Sequence, residues 1–293
     1  MATNGKLARP PLACEITAER LLVARTAPGE QALASAAARP LPAGAVTPGF
    51  SGPNVHEPAA LELAVREAVA QIGAPGNELS LVLPDAAVRV MLLDFDTLPE
   101  KQSDAAPLVR FRLKKMLPFE ADRAAVSYQV QRGTPIQVVA AVTDAAVLAE
   151  YEGPVRAAGF NPGVVLPSIL AMLGAVDSSA PTLVVKAESG TTAVAIVDQG
   201  ELRLLRTLET VTSAAASPQR LAEDIYPSLV FFQDTYGTQI TRMVLGGTAA
   251  TDELRASLEQ QTGLKAMELT GAGTIPAPRT AFAGVYGALV AAD

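Results

Sequence analysis

Alternating and helically spaced apolar positions divide the chain into short strands and helices. The clearest run lies between Leu79 and Gln131. It reads as a strand (LSLVL, 79–83), Pro84-Asp85, and a second strand (AVRVMLL, 87–93). Leu98-Pro99, a basic amphipathic helix (LVRFRLKKM, 108–116), Leu117-Pro118-Phe119 and a strand (AVSYQVQ, 125–131) follow. In that last strand Val126, Tyr128 and Val130 alternate with Ser127, Gln129 and Gln131, the period of a strand with one wet face. The order predicts a small strand–strand–helix–strand module with prolines at its joints. Upstream, residues 12–25 read as strand, turn and strand, and residues 35–58, rich in Ala, Pro and Gly, as a loop. Leu61, Val65, Ala68 and Ile72 then mark one face of a helix that Gly73 and Pro75-Gly76 stop.

Downstream of an apolar strand at 136–142, Asp144 is placed to cap a helix lined by Leu148, Tyr151, Val155 and Ala158 and closed by Gly159. Pro154 predicts a kink in it. The segment VDSSAP (176–181) is the clearest boundary. Strands at 182–187, 192–197 and 201–208 follow, the last two joined by a tight turn at Asp198-Gln199-Gly200. Ser217-Pro218 opens a helix with the stripe Leu221, Ile225, Leu229, Phe232 and Tyr236, bent at Pro227. A strand at 241–245 runs into Gly246-Gly247, and Thr251 caps a helix ending at Gly263. A strand at 265–269, a turn at Gly271-Ala272-Gly273 and a small-residue helix after Pro278 complete the pattern. Meanders followed by alternating helix and strand predict an α/β protein of mixed sheets with helices packed on them.

With 293 residues, 49% of them hydrophobic, the chain can bury more than one core. A net charge of −7 argues against nucleic acid as the main partner, because phosphate recognition needs a basic field. A single cysteine cannot build a disulfide framework. No apolar run reaches the length of a membrane span, and the first residues lack a leader pattern. Together these lead to the expectation of a cytoplasmic protein.

Most catalytic chemistry is missing. His56 is the only histidine, in a loop, so a Ser-His-Asp or Cys-His arrangement has one candidate and no neighbours. Cys14 falls in a predicted core strand. There is no P-loop motif. Asp94 and Asp96 alternate near a strand end and read as solvated. Arg110, Arg112, Lys114 and Lys115 form a basic cluster that fits an acidic partner or phospholipid headgroups. They equally fit the wet side of a helix whose apolar side is Val109, Leu113, Met116 and Leu117. Gly246-Gly247, between a strand and a capped helix, allows close backbone approach to a flat ligand.

The ordered set of elements resembles the PilM family of actin-like proteins in type IV pilus assembly. It also resembles the cytoplasmic part of the GspL family of type II secretion. The segments that carry the resemblance are the module at 79–131, LAEYEGPVRAAGFNPGVVLPSILAML (148–173) and RMVLGGTAATDELRASLEQQTGL (242–264). The resemblance implies an actin-like, two-lobed ATPase fold. A first lobe at 1–178 would carry an inserted subdomain at about 79–145, and a second lobe would span 179–293. It implies a groove beside that subdomain, within 79–142, for the cytoplasmic N-terminal peptide of a PilN-like membrane protein, with the basic cluster as a candidate contact. Other pilus platform proteins are further partners it allows. Peripheral association with the inner membrane through that partner, without a span, follows from it.

Nucleotide-binding relatives place Asp-x-Gly in the first turn of each lobe. Here the matching positions read Glu15-Ile16-Thr17 and Lys186-Ala187-Glu188. Ser189, Gly190, Thr191 and Thr192 keep a small polar turn, and Gly246 and Gly247 stand where relatives hold the adenosine. The expectation is a scaffold without catalysis and without a required cofactor, with ATP and magnesium bound weakly if at all. The alternatives are an ATP-dependent switch or ATPase, and the cytoplasmic domain of a GspL-like protein.

Overall fold

A computed structural model describes residues 9–27, 32–74, 76–131, 133, 135–209, 217–269 and 275–291. Strands β1 (Leu12–Ile16), β2 (Arg20–Thr26) and β3 (Leu33–Pro40) form an antiparallel meander. Helix α1 (Pro58–Ile72) starts with a proline, where a missing N–H costs nothing, and ends on Gly73 at φ 66°. Its predicted face, Leu61, Val65, Ala68 and Ile72, is buried on the sheet. Strand β4 (Glu78–Leu83) lies parallel to β1. Residues 35–40, predicted as the start of a loop, instead belong to the edge strand β3. Its alanines give no hydrophobic alternation, but they pair in register with β2, Ala37 opposite Val23.

A second correction concerns the small module. Strand β5 (Arg89–Phe95), helix α2 (Gln102–Lys114), strand β6 (Ala124–Gln131) and strand β7 (Ile136–Asp144) form it, with sheet order β5-β7-β6. It is therefore strand–helix–strand–strand. Strand β4, predicted as its first member, is buried along nearly its whole length and belongs in the large sheet. Adjacency in sequence could not say with which strand it pairs. Helix α2 also starts earlier than the predicted 108, at Gln102.

Asp144 then caps α3 (Ala145–Ala157), accepting from the Ala146 N–H at 3.0 Å. Strand β8 (Asn161–Pro167) completes the first sheet in the order β3-β2-β1-β4-β8, and α4 (Ser168–Leu173) follows.

The rest of the chain repeats this plan. Strands β9 (Thr182–Glu188), β10 (Thr191–Asp198) and β11 (Glu201–Glu209) form a meander. The β10–β11 turn has both central residues at positive φ, Gln199 at 52° and Gly200 at 80°, which suits the twist of a hairpin. Helix α5 (Pro218–Tyr236) is capped by Ser217, and α6 (Asp252–Thr262) by Thr251, as the sequence predicts. Strands β12 (Arg242–Gly246) and β13 (Ala266–Glu268) run parallel to β9, giving the order β11-β10-β9-β12-β13. A turn of 3-10 helix at Arg279–Phe282 leads into α7 (Ala283–Val290). The predicted turn at 271–273 lies outside the described residues.

The strand pleat sorts the packing into layers. Leu183, Val185, Val194 and Ile196 face α5 and α6, while Val184, Ala193, Ala195 and Val197 face α4 and the start of α7. In the first sheet Cys14, Ile16 and Leu81 face α1 and α3, while Ala13, Leu22 and Val82 face α7. Helices α4 and α7 thus lie between the two sheets. They meet backbone to backbone, since a Cβ on Gly287 would sit 2.0 Å from the Ala171 carbonyl oxygen.

Candidate functional site

Strands β1 and β9 hold equivalent central places in the two sheets, and their ends converge. On each, the pleat turns one charged residue toward the space between the sheets: Glu15 beside Ala13, and Lys186 beside Val184. Lys186 is 0% exposed and Glu15 1%. The Lys186 ammonium lies 2.7 Å from Glu15 Oε1 and 2.5 Å from Glu188 Oε1. The Ser168 hydroxyl, at the start of α4, also donates to Glu15. Glu188 accepts from the Thr248 N–H at 3.3 Å and from the Thr248 hydroxyl. Asp85 completes the cluster, accepting from the Ile169 N–H at 2.8 Å. One oxygen each of Glu15 and Asp85 is buried with no partner among the described residues. On α7, Gly284 makes room for the cluster, because a Cβ there would stand 2.4 Å from Glu15 Oε2.

Burial works against the charge on Lys186. The carboxylates of Glu15, Glu188 and Asp85 outweigh it and hold the ammonium above the usual lysine range. Burial pushes Glu15 upward against the pull of Lys186. Burial also pushes Asp85 up to about 7, against the opposing pull of Lys186. The arrangement joins the central strands of the two five-stranded sheets by charge.

Beside it remains a cavity of about 130 Å³, lined by Glu15, Thr17, Asp85, Lys186, Ser189 and Gly190 among others. Sites for cofactor-sized ligands run to about 300–1,000 Å³. This cavity has three carboxyl groups on its wall against one ammonium, counting Glu188, an arrangement that disfavours a polyphosphate at short range to the extent that they are ionised.

The predicted site residues divide accordingly. Glu15 and Lys186 are brought together, and Ser189 and Gly190 stand on the cavity wall. The Thr17 hydroxyl is used within the β1–β2 turn, donating to the Arg20 carbonyl at 3.0 Å and accepting from the Arg20 N–H at 3.0 Å. Thr192 is buried in β10. Gly246 and Gly247 lie away from the cavity wall. A Cβ on Gly246 would meet Ala283 at 2.7 Å and Met172 at 2.9 Å. One on Gly247, at φ 107°, would stand 2.0 Å from the Ala187 carbonyl oxygen. Both glycines serve close packing here. Sequence reasoning missed Asp85, Ser168 and Thr248. The only signal for the first was a carboxylate directly after a strand-ending proline.

The basic cluster separates into two pairs. Arg110 donates to the Ala124 carbonyl at 3.1 Å. Arg112 donates to the Asp94 carbonyl at 3.2 Å and lies over the Phe95 ring. Lys114 and Lys115 are exposed, without an ion-pair partner among the described residues. Of the predicted apolar side, Val109 and Leu113 are buried, but Met116 is 54% exposed because the helix ends before it. His56 is exposed in its loop, 2.6 Å from the Thr47 hydroxyl. Cys14 is buried, which pushes its thiol up. Asp94 and Asp96 are exposed, and no metal-ligating cluster occurs among the described residues.

A second concavity, of about 250 Å³, opens between the small sheet and the β8 edge of the first five-stranded sheet. The pleat of β6 and β7 turns Ala125, Ser127, Ala141 and Thr143 into it, while Val138 and Ala140 face the α2 side, and Val126 and Val142 pack there but also border the concavity. Val165 and Leu166 of β8 form the opposite wall. Strands β6 and β8 are both sheet edges among the described residues.

No protein-family model matches the chain, and no curated protein matches it. Solved structures do. A PilM-PilN type IV pilus biogenesis complex is similar with a TM-score of 0.78 and 19% identity, over 96% of this chain and 97% of that one. A Bacteroides thetaiotaomicron protein described as having an actin-like ATPase fold and unknown function gives 0.56 and 12%, over 100% of both chains. The cytoplasmic domain of EpsL, an inner-membrane component of the type II secretion system of Vibrio cholerae, gives 0.55 and 11%, over 95% of this chain and 94% of that one.

The duplicated sheet order, the helices between the sheets and these likenesses define an actin-like α/β fold. Within that class the fold is PilM-like. No helix among the described residues is long and apolar enough to cross a membrane.

Proposed function

We propose that this chain is a non-catalytic, actin-like scaffold of a type IV pilus assembly platform. It binds the cytoplasmic N-terminal peptide of a PilN-like inner-membrane protein and is held at the membrane through that partner. The observation that carries this reading is the contrast between the two concavities. Between the two five-stranded sheets the Glu15–Lys186–Glu188 cluster leaves beside it a cavity of only about 130 Å³. The groove beside the small sheet is open, apolar and about 250 Å³. It runs between two free strand edges, the setting in which an extended peptide adds a strand and seats alternate side chains. The similarity to a PilM-PilN complex supports the choice of partner.

The test is titration of the chain with a synthetic PilN-type N-terminal peptide. Micromolar binding that Ala141→Trp abolishes supports the reading, and absence of binding by any such peptide overturns it. A second reading, the cytoplasmic domain of a GspL-like secretion protein, draws support from the EpsL likeness. Capture of a type II secretion partner in place of the pilus peptide distinguishes it.

A further inference from the structure

Helix α2 covers one side of the small sheet, with Val109 and Leu113 buried against Val138 and Ala140. Its outer side carries Phe111, 69% exposed, and Leu108, 44% exposed. Pro107 and Leu108 stand one turn before Phe111, and Lys114 and Lys115 one turn after it, so the five share one surface. Met116, just beyond the helix, adds another exposed apolar side chain.

The four cations of this segment are of two kinds. Arg110 and Arg112 are held by the fold. They donate to the carbonyls of Ala124 on β6 and Asp94 on β5, and so brace the helix against the sheet. Lys114 and Lys115 are exposed, without an ion-pair partner among the described residues. Their long apolar stems let the ammonium groups reach out past neighbouring apolar surface.

An aromatic ring protruding from a convex helix, with free lysines one turn away, suits a surface that is flat, soft and negatively charged. A protein partner would need a pocket shaped to receive the helix. A bilayer admits apolar side chains among its headgroups wherever they touch, and its phosphates pair with the lysines. The chain as a whole carries −7, so an anionic bilayer repels most of its surface and selects a basic face for the approach.

We propose that the outer face of α2 docks directly on an anionic phospholipid surface. Leu108, Phe111 and Met116 enter the headgroup layer, and Lys114 and Lys115 pair with lipid phosphates. The acids nearest in sequence are Asp104, bonded to Ser103 at the far end of the helix, and Glu120 and Asp122, beyond Pro118. They oppose the attraction, so docking needs a strongly anionic surface and weakens with salt. A contact of this size is marginal alone and becomes stable with a second anchor. The groove beside the small sheet opens on the side away from α2 and stays free while the helix is docked. Docking uses none of the groove residues, so either contact can fail in experiment without the other.

The test is co-sedimentation of the whole chain, without any partner, with vesicles of phosphatidylglycerol and phosphatidylcholine in equal parts, and with vesicles of phosphatidylcholine alone. Binding to the first and not to the second is expected, falling away at high salt. Lys114→Gln combined with Lys115→Gln is expected to weaken it about twentyfold. Phe111→Ser is expected to weaken it about tenfold. Lys114→Arg combined with Lys115→Arg should retain it. Phe231→Ser, on α5 with Glu223, Asp224 and Asp234 around it, should bind like wild type. All these side chains are exposed, so folding, checked by circular dichroism, is retained. No sedimentation with anionic vesicles at millimolar lipid overturns the proposal. So does binding that the lysine variant or Phe111→Ser leaves unchanged. A chain that ignores vesicles but binds polyglutamate through the two lysines would overturn it and assign the face to an acidic protein.

Discussion

Lys186 Nζ stands 2.7 Å from Glu15 Oε1, and the two residues occupy matching places on the central strands of two sheets with the same strand order. The repeated architecture therefore carries opposite charges at equivalent positions, and these neutralise each other across the space between the two sheets. Attraction between buried ions rarely repays their desolvation outright, but removing one partner leaves the other stranded. This asymmetry governs the behaviour expected of the site.

Lys186→Met leaves Glu15 buried without its cation. A loss of about 3–5 kcal/mol is expected, read as a thermal midpoint lower by roughly 10 °C. Glu15→Gln combined with Lys186→Met removes both ends of the buried pair and should recover a large part of that loss. Equal destabilisation by the single and double variants would contradict the coupling of the buried pair, and urea unfolding of wild type and both variants decides it.

Magnesium-ATP at millimolar concentration should produce neither heat in calorimetry nor a rise in thermal midpoint, because any ligand bound only by the folded state stabilises it. Saturable micromolar binding would instead give precedence to the nucleotide-switch reading.

Asp85 gives a pH signature. Burial raises its carboxyl to about 7 in the folded chain, against 3.8 ordinarily. Between those values the folded state holds a proton that the unfolded state has released, so stability falls as pH rises through this window. Asp85→Asn keeps an acceptor for the Ile169 N–H and removes the charge. Its thermal midpoint should match wild type near about pH 4, exceed it increasingly up to about pH 7, and keep a constant lead above that. A lead that grows toward acid would refute the assignment.

Gly287→Ala inserts a methyl 2.0 Å from the Ala171 carbonyl oxygen and forces α4 and α7 apart. A cost of about 1–3 kcal/mol is expected. The denaturant midpoint of this variant should fall accordingly.

Local patterns were legible in the sequence wherever the residues themselves dictate geometry. The caps at Asp144, Ser217 and Thr251, the turn at Gln199-Gly200 and the inner face of α1 all form as read. Strand partnership was not legible, because β4 looks the same whether it pairs with β1 or β5. Strand β3 was hidden because alanine carries little hydrophobic signal in either periodicity. At the site, Glu15 and Lys186 could be singled out as departures from a nucleotide-binding pattern. That they would bond to each other required the fold, since 171 residues separate them. Asp85 and Ser168 were invisible for the same reason, their roles arising only where α4 meets both strands.

Pro167 and Ser168 are neighbours in the chain, yet one lines the groove beside the small sheet and the other donates to Glu15. Tension applied to an occupant of that groove would reach the junction of the two halves along covalent backbone, with no loop between to absorb it. Strand β8 and the first turn of α4 thus form a load path. Under the proposed function, a pull on a bound peptide would pass straight from the groove beside the small sheet to the charged pair that joins the two large sheets.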